Sequence, residues 1–155
     1  IGFLPGTHED KSELYQIPYK NMVRNMFHMP DQTSFDMLYD NLKNQETISF
    51  WSTSFLRGTT LDDAIVIVDE CQNLNFHELD SIITRCGETT KIVFCGDFKQ
   101  SDFKNNEDRN GLLTFMNILR EIPSFHFFEF DHEDIVRSGI VKDYIIQKEK
   151  IMNAA

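Results

Sequence analysis

The chain is poor in positive charge: 15 lysines and arginines stand against 25 acids, a net charge of −10. Phosphate contacts need clustered basic side chains, so this composition argues against a face that grips nucleic acid unaided. No stretch comes near the ~20 uninterrupted apolar residues that cross a bilayer, and no charged-then-apolar leader opens the sequence. Cysteine is scarce. Its three residues, Cys71, Cys86 and Cys95, are odd in number and lie in or beside apolar segments, which argues against a disulfide scaffold and predicts reduced thiols in the cytoplasm. The five histidines show none of the close Cys/His spacings of a structural zinc site. Internal repeats and low-complexity tracts are missing, and so is any G-x-x-x-x-G-K-[ST] phosphate loop.

What is present suffices for a core. The 14 phenylalanines and the many Ile, Leu and Met residues in 155 positions predict one folded domain. The first residue is Ile1 rather than Met, and no apolar strand leads into a phosphate loop, so the expectation is a fragment of a larger nucleotide-handling fold.

The most informative segment is Ala64-Ile65-Val66-Ile67-Val68-Asp69-Glu70, an apolar, β-branched run that ends in two adjacent carboxylates. Such a run predicts a strand buried on both faces of a parallel sheet, with its acids at the carboxyl edge where open α/β sheets bind ligands. In a Walker B arrangement the first acid holds a hydrated Mg²⁺ on a nucleotide phosphate, and the second orients or deprotonates the attacking water. Ile92-Val93-Phe94-Cys95-Gly96-Asp97-Phe98-Lys99-Gln100 is a second apolar run that breaks into a glycine and a carboxylate. Between them Asn75 to Gly87 predicts a helix: Asn75 caps it, Glu78 occupies the capping-box position, and Leu79, Ile82 and Ile83 form its stripe. Strand, helix and strand with short joints make a βαβ unit with parallel strands. Asp69, Glu70, Asp97 and Gln100 are therefore expected at one sheet edge.

Around this unit the pattern predicts a helical stretch from Ser12 to His28, broken or kinked at Pro18, and a helix capped by Ser34 that carries Phe35, Leu38, Tyr39 and Leu42. A short strand is expected over Thr47–Trp51. Downstream, a polar loop covers Ser101 to Asn110 and a helix covers Gly111 to Glu121 with Leu112, Leu113, Phe115, Met116 and Leu119 buried. A strand follows over Phe125–Phe130. A last amphipathic helix runs from Ile140 to Ile151 through Val141, Tyr144 and Ile145.

Six blocks in order carry a family resemblance: Gly2-Phe3-Leu4-Pro5-Gly6, Arg57-Gly58-Thr59-Thr60-Leu61, Val68-Asp69-Glu70-Cys71-Gln72-Asn73, Thr84-Arg85-Cys86-Gly87, Gly96-Asp97-Phe98-Lys99-Gln100 and Asp134-Ile135-Val136-Arg137. The chain resembles the PhoH-like ATPases over nearly its whole length. Cys71 stands where that family usually has Ala, and the family's Walker A loop is not among these residues. The resemblance implies an α/β fold: a RecA-like P-loop NTPase sheet, parallel strands with helices on both faces, truncated at the N-terminus. It implies one partial domain over 1–155, with a mostly helical peripheral segment over 1–46 and a strand–helix core over 47–155. It further implies ATP and Mg²⁺ as ligands, cytoplasmic ATP hydrolysis, a homo-oligomer and a link to RNA metabolism.

Within that frame Asp69 is expected to hold Mg²⁺, Glu70 to act on the attacking water, and Gln100 to sense the γ-phosphate, since an amide both donates and accepts. Asp97 either meets the nucleotide or holds its loop by accepting backbone N–H groups. Arg137 is the arginine-finger candidate, with Arg57 and Arg85 behind it; each has a plain alternative as a surface or edge ion-pair partner. Three functions stay open on the residues alone. They are an ATPase core inactive by itself for want of Walker A, a Mg²⁺-dependent nuclease built on Asp69, Glu70 and Asp97, and a non-catalytic interaction domain.

Overall fold

The computed structural model describes residues 8–53, 56, 58–97 and 106–153, and within these the side chains of 8–13, 106–110 and 153 are left undescribed. The architecture is mixed α/β: α1 (His8–Met26), α2 (Gln32–Asn44), β1 (Ile65–Val68), α3 (Phe76–Ile83), β2 (Lys91–Phe94), α4 (Asn106–Arg120) and α5 (Gly139–Asn153). Two compact units divide the chain, one within Ile1–Ile67 and Ser81–Val93, the other within Val68–Asp80 and Phe94–Ala155. No described helix is long and apolar enough to cross a membrane.

The βαβ unit forms as the sequence predicts. The N–H of Lys91 donates to the Ala64 carbonyl at 2.9 Å and that of Cys95 to the Val68 carbonyl at 2.8 Å, which fixes a two-stranded parallel sheet. A parallel bridge between Leu61 and Cys86 extends the pairing ahead of β1. The capping box closes reciprocally, Glu78 N–H on Asn75 Oδ1 and Asn75 N–H on Glu78 Oε2, both at 3.0 Å. Leu79 is fully buried and Ile82 nearly so, so the apolar stripe of α3 supplies core. Burial of the strands alternates, however, instead of covering both faces. Val68 is buried, while Ile65, Ile67 and Val93 are 71%, 65% and 46% exposed, so one sheet face lies bare among the described residues.

In the second unit the covered face meets aromatic packing. Phe94 of β2 sits edge-on to Phe115 of α4 with ring centres 5.1 Å apart, and Phe76 of α3 meets the same ring at 6.5 Å. Leu112, Phe115 and Leu119 are buried at helical spacing, but Leu113 faces solvent. The helix also starts earlier than the polar composition implied, at Asn106. In the first unit α1 packs on α2 by setting cations over rings: Lys20 Nζ lies 5.1 Å from the Tyr39 ring centre and pairs with Asp36 at 3.0 Å, and Arg24 lies 5.8 Å from the Phe35 ring centre.

Several expected elements differ. α1 runs through Pro18 as one helix, although a proline has no N–H to donate to Leu14's carbonyl. Asp31, not Ser34, caps α2, and its carboxylate accepts the Ser34 N–H at 2.8 Å, which holds its own pKa below the ordinary carboxylate value. Thr47–Trp51 is irregular because the Thr47 and Ile48 N–H groups both close the end of α2 on Leu42's carbonyl. Phe125–Phe130 forms no strand either; Phe125 N–H turns back onto Ile122, and Phe127 lies under the Arg120 guanidinium at 5.6 Å. On α5 the stripe is open, with Tyr144 and Ile151 mostly exposed.

Candidate functional site

β1 delivers its chain to the carboxyl edge at Val68, and the backbone there reverses within two residues. Glu70 adopts φ 51°, ψ 39°, the left-handed region that a residue with a Cβ enters at a cost of about 1–2 kcal/mol. Local bonds hold it there. Asp69 Oδ1 accepts the Glu70 N–H at 3.0 Å, the Glu70 carbonyl accepts the Asn73 N–H at 2.9 Å, and the Cys71 N–H returns to the Cys95 carbonyl at 2.9 Å. The result is two exposed carboxylates standing on a rigid turn, followed by the 3-10 turn Cys71–Asn73.

Gln72 is the buried polar residue of this edge, 8% exposed. Its side-chain Nε2 donates to Glu70 Oε2, and its Oε1 accepts the Asp97 backbone N–H at 3.2 Å, so one amide joins the turn after β1 to the segment after β2. Gly96 makes room for it: a Cβ there would fall 2.6 Å from Gln72 Oε1 and 2.8 Å from Cys71 Sγ. Burial pushes the Cys71 thiol up to about 11, with Cys95 beside it adding to the shift, so the sulfur is a neutral thiol at physiological pH. Cys95 is raised for the same first reason, with Asp69 contributing.

The donors this edge offers to solvent are carboxylate oxygens, a set that suits Mg²⁺, which takes one or two protein carboxylates and fills its octahedron with water and phosphate oxygens. Among the described residues no three His, Cys, Asp or Glu side chains gather closely enough to cage a metal. A two-metal nuclease centre on Asp69, Glu70 and Asp97 therefore lacks its cluster.

The other candidates divide by position. Asp97 lies three residues after the end of β2 and reaches the edge through its backbone bond to Gln72. Arg85 lies at the end of the unit where β1 has not yet begun: its carbonyl accepts the Leu61 N–H at 2.8 Å, and its Nε is buried without a hydrogen-bond partner among the described residues. Arg137 is exposed, between the 3-10 turn His132–Asp134 and α5. Gln100 and Arg57 fall outside the described residues. Sequence reasoning passed over Gln72; its place two residues beyond Glu70, in a turn where that spacing folds one side chain back on the other, was the available signal.

A family model described as PhoH-like protein matches residues 1–148. PhoH-like proteins of Mycobacterium bovis and Bacillus subtilis are 31% and 30% identical over 145 residues, in each case 94% of this chain and 39% and 43% of the relative. The protein PhoH of Escherichia coli is 30% identical over 141 residues, 90% of this chain and 38% of its own length. The chain thus spans about two-fifths of the length of these curated relatives.

Proposed function

Because the chain belongs to the PhoH-like family, we propose that the edge carrying Asp69 and Glu70 serves the hydrolysis of ATP with Mg²⁺. The observation that carries this proposal is the left-handed Glu70, a backbone cost sustained at a strand end by bonds that fix two exposed carboxylates, as strained positions in working sites are. Asp69, exposed at the strand end, is the carboxylate that would hold Mg²⁺. When bound, that ion neutralises charge on the phosphate oxygens. Glu70 accepts a hydrogen bond from the attacking water and takes its proton.

Gln100 reads the γ-phosphate, and Asp97 keeps its loop on the edge through the backbone. Arg137, exposed, is suited to enter a neighbouring subunit's site in a homo-oligomer. Arg57 is a further phosphate partner in this reading; Arg85, whose carbonyl pairs with Leu61 ahead of β1, is assigned an anionic partner on the ground of its unpaired Nε–H and not a place on the Asp69–Glu70 edge. The bare face at Ile65, Ile67 and Val93 supports a wider RecA-like P-loop sheet with helices on both sides, of which residues 1–155 form a part. A phosphate-holding Walker A loop is not among the 155 residues. These residues alone are therefore proposed to hydrolyse no ATP, and the activity to belong to the full-length protein in the cytoplasm, coupled to RNA metabolism.

Asp69→Asn tests the metal role. In the full-length protein the Mg²⁺ concentration for half-maximal phosphate release should rise about 10-fold or more, with the fold intact by circular dichroism. An unchanged Mg²⁺ dependence contradicts the assignment.

A further inference from the structure

We propose that Gln72 is a positioning residue for Glu70, locking its carboxylate to the segment after β2 so that the two strand ends act as one catalytic edge; this rests on the ATPase reading above. A primary amide has two donors and an acceptor with two lone pairs. The neighbours of Gln72 fix which end is which. Asp97 N–H is only a donor, so the oxygen must face it, and Glu70 Oε2 is only an acceptor when ionised, so the nitrogen must face that.

The side chain is 8% exposed, and a buried amide that lost a partner would cost about 1–3 kcal/mol. Both bonds therefore stay made. With Oε2 of Glu70 held, rotation of its carboxylate is blocked and Oε1 is left to meet the water. Glutamate otherwise has three side-chain torsions with which to leave that place. The bridge also gives the segment after β2 a grip on the base, so a displacement of Asp97 moves the Gln72 amide and with it the Glu70 carboxylate. Gly96 preserves the route, because a methyl there would occupy the space of the amide oxygen.

No shorter side chain does the same. Asn at 72 falls short by one C–C bond, about 1.5 Å, and cannot reach both partners. Glu at 72 keeps an acceptor for the Asp97 N–H but sets a carboxylate against Glu70. Met keeps the volume and loses both bonds.

The experiment uses the full-length protein and the variants Gln72→Met, Gln72→Glu and Glu70→Gln, with kcat and KM for ATP measured alongside amide hydrogen exchange at Asp97. Both Gln72 variants should lower kcat by about 10- to 100-fold, the loss expected when a reacting group is misplaced by an ångström, with KM changed by less than about 3-fold. Exchange at the Asp97 amide should accelerate in Gln72→Met and stay slow in Gln72→Glu and Glu70→Gln. Unchanged kcat in Gln72→Met, with Glu70→Gln inactive, overturns the positioning role. Asp97 exchange that does not respond to Gln72→Met overturns the bridge whatever the kinetics. Full turnover by Glu70→Gln overturns Glu70 as the base, while no ATP turnover by the parent overturns the ATPase assignment; in either case the exchange pattern still decides the bridge.

Discussion

The two ends of the strand pair are built from the same kinds of residue and arrive at opposite chemistry. Ahead of β1, Asp63 has a positive φ of 49°; after it, Glu70 has one of 51°. A glycine and a cysteine flank each end, Cys86-Gly87 at the first and Cys95-Gly96 at the second. At the amino end every bond is structural: Asp63 N–H donates to Thr89 Oγ1 at 2.9 Å, Gly87 N–H to Leu61's carbonyl at 2.8 Å, and the Thr90 hydroxyl to that same carbonyl. At the carboxyl end a buried amide spends both its bonds on the far side of a turn and holds a carboxylate that faces water. Acids and glycines at strand ends are ordinary punctuation. What separates the edge proposed to work from the closed one is where the polar groups turn and how firmly they are held.

The largest expected difference comes from relieving both left-handed positions. Glycine suits that region, so Asp63→Gly should change stability by about 1 kcal/mol or less in thermal unfolding, while in Glu70→Gly the same relief is set against the loss of Gln72's partner, about 1–3 kcal/mol. Phosphate release by the full-length protein should persist in the first and fall by about two to four orders of magnitude in the second. Equal activity in the two variants would erase the distinction between the ends.

A methyl group sharpens it next. At Gly96 the added Cβ meets the buried Gln72 amide and the Cys71 sulfur, neither of which has room to withdraw, and Gly96→Ala should cost about 1–3 kcal/mol in denaturant unfolding. At Gly87 it meets mainly the end of the exposed Asp62 side chain, which can swing into solvent, so Gly87→Ala should cost about 0.5 kcal/mol. A larger loss for Gly87→Ala would reverse the ranking of the two ends.

The smallest effect concerns the thiols. Burial raises both Cys71 and Cys86 from the ordinary value of 9.0, Cys71 to about 11. A group whose folded pKa lies above its unfolded one contributes stability in full below the unfolded value and loses it as pH rises through the folded value. Stability should therefore decline between about pH 9 and 11. Cys71→Ala should remove more of that decline than Cys86→Ala. Melting temperatures across this range are the check.

Sequence pattern exposed the βαβ unit because each of its parts announces itself locally: β-branched runs, an Asn-x-x-Glu capping box, and a helix stripe through Leu79 and Ile82. It misread Thr47–Trp51 and Phe125–Phe130, since an alternating segment becomes a strand only with a neighbour to take its bonds, and these N–H groups are drawn to helix ends and turns instead. Ser34 looked like the cap of α2 but is the donor that Asp31 accepts; the two differ by three residues and either fits the pattern. The bare face of β1 escaped the pattern because an all-apolar run does not say which of its faces is covered. Asp69, Glu70 and Asp97 were legible as strand-end acids. The left-handed turn that fixes Glu70, and the bonds of Gln72, were not: local bonds close the turn and join Gln72 to Glu70, but the bonds of Cys71 to Cys95 and of Gln72 to Asp97 reach a segment some 25 residues away.

Glu70→Gln in the full-length protein tests the central claim most directly. Calorimetric affinity for Mg²⁺-ATP should stay within about 3-fold of the parent while single-turnover hydrolysis slows by about two to four orders of magnitude, because the substitution keeps size and hydrogen bonding but removes the base. Hydrolysis at the parental rate, or affinity and rate lost together with the fold intact, would contradict it.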